Sequence, residues 1–137
     1  MRKISFLVIC SAVFLTAGCS IEITSPVANS SYSIYEGVDF DVIVAQKASC
    51  VTGTFMEGAY LDKWDAESNQ WIINAYTIFG PDPYVSRTHW SDTIIPYNNN
   101  IDEGLYRFHA KVEYRSFVCP AHPSDEVIFN LENPYSP

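Results

Sequence analysis

The chain has 137 residues, of which 47% are hydrophobic and 15% aromatic, so it is long enough to bury the core of one globular domain. Its formal net charge is −8 at pH 7, and a field of that sign disfavours sulfate, phosphate and nucleic-acid ligands. A basic partner, a neutral glycan or a cation is compatible with it.

The first eighteen residues have the order that is typical of a secretory signal peptide. Arg2 and Lys3 precede an almost wholly apolar run over residues 4–17, and small residues follow it. A membrane-spanning helix needs about 20 apolar residues, and this run is shorter. We therefore predict that residues 1–18 are removed on export.

The segment Leu15-Thr16-Ala17-Gly18-Cys19 resembles the lipobox of bacterial lipoproteins, with Thr16 at the position where leucine is commonest. The resemblance implies that Cys19 becomes the first residue and carries a diacylglyceryl group with palmitate-like acyl chains. Two or more such chains hold a domain stably on a membrane. Ser20 resembles the residue found in outer-membrane lipoproteins, so we expect a lipid anchor in the cell envelope. The face of the membrane stays open.

Two cysteines remain in the mature part once Cys10 is removed and Cys19 carries lipid. In an oxidising envelope, an isolated pair such as Cys50 and Cys119 is expected to form a disulfide. A zinc site is the alternative, but no CxxC or HxxxH spacing supports it. The mature part has 6 basic residues against 16 acidic ones, a net charge of −10, because Arg2 and Lys3 precede Cys19.

The mature chain predicts an all-β domain of about seven strands, because short alternating apolar runs are separated by clusters of Pro, Gly, Asn and Asp. A polar turn is expected over residues 27–33 and a hairpin turn over residues 65–70. The predicted strands cover residues 21–26, 38–44, 54–64, 71–79, 87–95, 105–114 and 127–131. In the second strand, the inward residues are Val38, Phe40, Val42 and Val44.

The clearest strand is 105–114, which alternates with the period of a half-buried antiparallel strand. Asp102, Gly104 and Tyr106 form a D-x-G-x-Y pattern just before it, and this pattern resembles the tyrosine corner of immunoglobulin-like sandwiches. The resemblance implies a single antiparallel β-sandwich over residues 19–137, of the immunoglobulin-like or fibronectin-type-III-like kind.

In such a sandwich, the strands that precede Cys50 and Cys119 run in the same direction on facing sheets. A bridge between the two cysteines would then tie neighbouring loops together at one end, where sandwich domains commonly bind. The alternative is a bridge that only stabilises the domain. The candidate binding residues in these loops are Lys47, Ser49, Phe117, His122 and Asp125.

A second, weaker candidate is an acidic hairpin tip whose oxygen atoms could hold calcium. The EF-hand spacing is absent, so a solvated acidic turn is the favoured interpretation, and we expect no metal and no cofactor. The four residues are Asp62, Asp65, Glu67 and Asn69.

No G-x-S-x-G, H-E-x-x-H or phosphate-binding motif is present, so we do not expect an enzyme. The sequence favours a lipid-anchored module that binds an envelope protein or a glycan at or near the outer membrane, with no nucleic-acid partner. Two alternatives are a structural accessory lipoprotein of an outer-membrane assembly and an inhibitor or exclusion lipoprotein that acts on an enzyme or phage receptor.

Overall fold

The computed structural model describes residues 20–44, 51–82, 88–116 and 122–136. Over residues 51–53 and 114–116 it describes the backbone alone. Within these ranges the chain forms eight strands and one turn of 3-10 helix, Pro96–Asn99. The strands are β1 (Ile21–Ser25), β2 (Ser31–Ser33), β3 (Val38–Val44), β4 (Val51–Asp65), β5 (Gln70–Phe79), β6 (His89–Ile94), β7 (Gly104–Ser116) and β8 (Ser124–Glu132).

The strands form two sheets in a sandwich. One has the order β1-β3-β6 and the other the order β2-β8-β7-β4-β5, so the predicted all-β, immunoglobulin-like class is confirmed. Every pairing is antiparallel except β2 with β8, which is parallel, with Tyr32 opposite Leu131. The prediction of a turn throughout 27–33 was therefore wrong at its end, because β2 is a three-residue strand stabilised by a distant partner.

The core lies between the two sheets and is built from the alternating residues of β3 and β7. The inward positions of β3 are buried, as predicted. The rings of Phe40 on β3 and Phe108 on β7 meet edge to face across the core, with centroids 4.9 Å apart. Burying each of these side chains contributes about 1.5–3 kcal/mol to folding. The fully buried residues of β7 are Tyr106, Phe108, Ala110 and Val112.

The sandwich has two ends, and contacts between the sheets show which residues lie at each end. Phe40 contacts Phe108. Two residues further along the strands, Val42 pairs with Ile23, and Ala110 pairs with Asp125. The N–H of Ile23 donates a hydrogen bond to Asp125 Oδ2 and so joins the two sheets at this level. Strands β3 and β7 therefore run in the same direction. We call the end with Ile21, Val44 and Val112 the N-terminal pole, and the end with Val38, Ile94, Gly104 and Glu132 the distal pole.

The D-x-G-x-Y segment lies at the distal pole, where the chain enters β7. The hydroxyl of Tyr106 lies 2.8 Å from the backbone carbonyl of Asp102 and 2.9 Å from its Oδ1, which is the backward hydrogen bond of a tyrosine corner. Gly104 has φ 150°, a conformation that glycine adopts without the penalty of a Cβ. Lys63 Nζ on β4 lies 2.6 Å from Asp102 Oδ1 and holds the carboxylate in place.

Candidate functional site

The predicted anchor and most of the predicted loop site fall on parts of the chain outside the described residues. These residues are Cys19, Cys50, Cys119, Lys47, Ser49 and Phe117. The residues that border them are informative. β1 begins at Ile21, two residues after Cys19, and Ile21 pairs with Val44 at the N-terminal pole. Val51, which follows Cys50, pairs with Ser116, three residues before Cys119. Ile21, Val51 and Ser116, the described residues that come nearest in sequence to these cysteines, therefore lie at the N-terminal pole.

Two of the predicted loop residues, His122 and Asp125, are described, and each has a partner within the domain. His122 Nδ1 lies 2.9 Å from Glu57 Oε1. Asp125 Oδ2 accepts a hydrogen bond of 3.0 Å from the backbone N–H of Ile23, so it joins the edge strand of one sheet to the other sheet. The carboxylate of Asp125 thus accepts an N–H of an edge strand that would otherwise lack a partner in the sheet, and it stabilises the contact between the two sheets.

The four residues of the acidic hairpin separate in the structure. Asp65 closes its own turn by accepting hydrogen bonds from Glu67 N at 3.1 Å and Ser68 Oγ at 2.7 Å. Asn69 has φ 56° in the same turn. Asp62 lies within β4 and is bound to other residues, so the predicted grouping of all four at a tip is corrected. Across the described ranges, no group of three His, Cys, Asp or Glu is placed to hold a metal ion.

Asp62 is the centre of a polar network on the outer face of the larger sheet. It is 1% exposed although it points away from the core. Its Oδ2 receives Nε and Nη2 of Arg107, each at 2.8 Å. Its Oδ1 lies 2.9 Å from His109 Nε2 and accepts the N–H of Asn74 at 2.8 Å. A buried carboxylate with this many donors is stabilised in its charged form.

The fourth donor depends on an irregularity of β5. Leu61 pairs with Tyr76, and Lys63 pairs with Ile72, so three residues of β5 lie opposite Asp62 alone. Asn74 in the middle has φ 53°, a left-handed conformation that Asn tolerates better than most residues. This bulge turns the N–H of Asn74 toward Asp62, in the way that bulges redirect groups at functional surfaces.

The surroundings of Asp62 have opposing effects on its ionisation. Burial by itself would raise the pKa of Asp62. The hydrogen bonds from Asn74, Arg107 and His109 outweigh burial and hold its pKa below the ordinary aspartate value. Above this network lies an open depression of about 470 Å³, whose lining includes Ile73, Arg107, His109, Lys111, Ser124 and Glu126. The surface is fixed by internal bonds and offers mixed polar and apolar contacts.

Aromatic rings extend this face toward the distal pole. The guanidinium of Arg107 lies 4.6 Å from the ring centre of Trp71, a cation–π contact. Trp71 in turn meets Trp64 edge to face at 5.3 Å. Ile73 is 59% exposed beside them. Arg107 is therefore held from two sides, by the carboxylate of Asp62 and by an indole ring.

The distal pole carries a second aromatic group, which we call the tyrosine triad: Tyr35, Tyr97 and Tyr135. The ring centres of Tyr35 and Tyr97 are 5.0 Å apart, and those of Tyr35 and Tyr135 are 5.4 Å apart. The three residues are 38%, 59% and 81% exposed. Aromatic side chains in mutual contact at the surface are typical of binding sites.

Sequence patterns indicated single aromatic residues of both groups, among them Trp71 and Tyr97, but did not indicate how either group assembles. The alternation of β7 placed His109 and Arg107 on the outer face, but it did not indicate that Asp62 of β4 lies beneath them. An Asn within the apolar run of β5 was the available signal of a bulge. Members of the triad come from three turns separated by more than thirty residues each, and only the register of the sheets brings them together.

The chain matches no model of a known protein family, and no curated protein matches it significantly. In the part of the chain that the structure describes, no helix is long and apolar enough to cross a membrane.

Proposed function

We propose that the chain is a lipid-anchored binding module of the bacterial cell envelope, held to the membrane through Cys19 and displaying the distal pole. The lipobox-like segment supports the anchor. The immunoglobulin-like sandwich supports binding, because its role in many proteins is to present a rigid surface. The partner is an envelope protein or a glycan.

One observation carries the proposal: Ile21, where the first strand begins, and the exposed tyrosines lie at opposite ends of the domain. Ile21 lies at the N-terminal pole, and Cys19 is two residues before it, so the anchor leaves almost no linker. The strand β3, residues 38–44, separates the two poles by about 20 Å at 3.3 Å per residue. The tyrosine triad would then face away from the lipid, and the short tether would keep its partners close to the membrane surface.

The acidic charge is consistent with this arrangement. With a net charge of −10 over the mature part, the domain is repelled by anionic lipid head groups beyond the anchor. Acyl chains therefore have to supply the membrane affinity, at about 0.8 kcal/mol for each buried methylene. We expect no membrane binding once the lipid is absent.

The anchor is tested by fractionating cells that produce the wild type, Cys19→Ala or Cys10→Ala after labelling with a palmitate analogue. Wild type and Cys10→Ala should partition into the membrane and carry the label, because Cys10 leaves with the signal peptide. Cys19→Ala should carry no label. A labelled Cys19→Ala protein, or an unlabelled wild type in the soluble fraction, contradicts the proposal.

Display is tested by protease treatment of intact cells, followed by the same treatment after the outer membrane is permeabilised. Digestion of the domain in intact cells supports a partner outside the cell. Digestion only after permeabilisation supports a partner in the periplasm.

A second candidate, the structural accessory lipoprotein, is favoured by strand β5. This strand is at the edge of the larger sheet, and residues 70–79 contain no charged residue and no proline. Edge strands are usually protected by charge, proline or a bulge, and β5 has two irregularities in its pairing with β4, the bulge at Asn74 and a one-residue shift between Thr77 and Phe79, but no charge. Addition of a partner strand beyond the bulge, at residues 76–79, would attach the domain to an assembly. Thr77→Lys should then release the lipoprotein from that assembly, whereas Ile128→Lys, on a strand paired on both sides, should not.

A further inference from the structure

We infer that the tyrosine triad and the adjoining polar depression form a binding site for a neutral glycan. The inference rests on the proposed function, since it names the ligand of the surface that the anchored domain would display. It depends on four features of the distal pole: exposed rings, fixed backbones, a neighbouring polar depression and a charge that rejects anions.

The rings form an open platform. Tyr35 lies at the centre and is tilted by 41° against Tyr97 and by 55° against Tyr135. Most of Tyr135 and more than half of Tyr97 are exposed, so both side chains are accessible to a ligand. Tyrosine offers a large contact area for the loss of only two rotatable bonds. Such rings stack on the C–H faces of sugar rings.

The backbone of each triad residue is held by a specific hydrogen bond. The N–H of Tyr35 donates to Ser33 Oγ at 3.1 Å, and that of Tyr97 donates to the Ile34 carbonyl at 2.9 Å. The N–H of Tyr135 donates to Asn133 Oδ1 at 3.0 Å. Because the turns that carry the rings are already ordered, a ligand does not have to supply the entropy of ordering them.

A polar depression of about 480 Å³ lies at the distal pole, beside the turn that carries Tyr135. Pro134 and Ser136, the neighbours of Tyr135 in the chain, are part of its lining. Its remaining side chains include two carboxylates and two amides, from Glu103, Glu132, Asn130 and Asn133. Asn130 Nδ2 donates to Glu132 Oε1 at 3.3 Å, and Asn133 Oδ1 accepts the N–H of Tyr135. Carboxylates have several lone pairs and amides both donate and accept, so the lining has further capacity for the hydroxyls of a sugar. Small-ligand sites commonly combine an aromatic surface with a small number of polar groups.

The same geometry argues against other ligands. A quaternary ammonium group binds between aromatic rings that surround it, but the triad rings are in contact with one another and leave no such space. An anionic glycan would meet Glu103 and Glu132 on a mature chain of net charge −10. A proline-rich peptide also packs on aromatic residues, but it offers few donors to satisfy the carboxylates and amides of the depression. A neutral glycan satisfies both parts.

The test uses the mature lipoprotein purified in a zwitterionic detergent, because a glycoside detergent would compete for the site. The neutral probes are cellohexaose, maltohexaose and chitohexaose, and the comparators are hexagalacturonate and a decaproline peptide. Binding is followed by amide-resolved NMR. At least one neutral hexasaccharide should bind with a dissociation constant of about 10 mM or tighter, and it should shift the amides of residues 34–36, 97–100 and 133–136.

Two double variants separate the rings from the hydroxyls of the tyrosines. Tyr97→Ala with Tyr135→Ala should weaken binding by about tenfold or more. Tyr97→Phe with Tyr135→Phe should retain affinity within about threefold, since the ring faces remain. Tyr97 and Tyr135 are exposed, so the thermal unfolding midpoint of each double variant should stay near that of the wild type. The midpoint is measured for each variant.

Three results would overturn the inference: no neutral hexasaccharide shifts the triad amides, the alanine pair binds as tightly as wild type, or the comparators bind more tightly than every neutral probe. None of these results bears on the lipid anchor, which fractionation of Cys19→Ala tests separately. A membrane-bound, lipid-labelled protein without glycan affinity would therefore refute this site and leave the proposed anchored module standing.

Discussion

Asp62→Asn removes the charge at the centre of the outer-face network and leaves its shape almost unchanged. The carboxylate receives four N–H donors, two from Arg107 and one each from His109 and Asn74. Asparagine keeps one oxygen as an acceptor, but its amide N–H₂ group then faces donors. Removing one partner of a fully buried ion pair costs about 3–5 kcal/mol.

The expected cost here is smaller, at about 2–3 kcal/mol of unfolding free energy at pH 7. Arg107 is 21% exposed and has Glu126 Oε2 at 3.9 Å, so water and a second carboxylate partly compensate it. Glu126→Gln is the matched control: it removes the same charge beside the same arginine, but Glu126 is 62% exposed, and such pairs contribute less than about 1 kcal/mol.

The pH dependence of this difference follows from the lowered pKa of Asp62. A carboxylate with a lower pKa in the folded than in the unfolded state stabilises the fold above the unfolded value, about 3.9. That stabilisation is lost as pH falls through the folded pKa. Asp41 and Asp102 also have lowered pKa values, but both are present in wild type and variant, so their effect cancels in the difference.

Urea unfolding of wild type, Asp62→Asn and Glu126→Gln at pH 7, 5, 4 and 3 measures both effects. The cost of Asp62→Asn should persist at pH 7 and pH 5 and should shrink toward pH 3. A cost below about 0.5 kcal/mol at pH 7, equal to that of the control, would refute the network's contribution. A cost that does not change down to pH 3 would refute the ionised state of Asp62.

Two further predictions concern the frame of the sandwich. Tyr106→Phe removes the hydroxyl bonded to Asp102 and should cost about 1 kcal/mol, whereas Tyr32→Phe, whose hydroxyl accepts an exposed hydrogen bond from the N–H of Val27, should cost less than about half of that. Equal costs in thermal unfolding would argue against the tyrosine corner as a stabilising contact. A non-reduced digest analysed by mass spectrometry should join the peptides of Cys50 and Cys119, and finding both thiols free would remove the predicted bridge.

The sequence predicted the parts of the fold that depend on local pattern. The alternation of β3, residues 38–44, gives its buried and exposed faces correctly, and the strand after Gly104 enters the core as predicted. These strands were predictable because one face of each meets the core, so apolar and polar residues must alternate.

The rest depends on pairings that no local window contains. Strand β2 exists because residues 31–33 meet β8, about a hundred residues away. Asp62 looked like part of an acidic turn because its sequence neighbours are acidic, while its true partners, Arg107 and His109, come from the adjacent strand. The triad likewise unites three turns whose closeness follows from the strand order. Such sites become visible once register is known.

The central claim is that the domain is tethered at the N-terminal pole and displays the distal pole, and paramagnetic relaxation measures this orientation directly. The mature lipoprotein is placed in lipid nanodiscs that contain a gadolinium-chelating lipid. Amides near Val44 and Val112 should lose intensity most, and those of Tyr97 and Tyr135, about 20 Å farther along the strands, should lose least. Equal loss at both poles, greater loss at the tyrosines, or no loss anywhere would contradict the tethered arrangement.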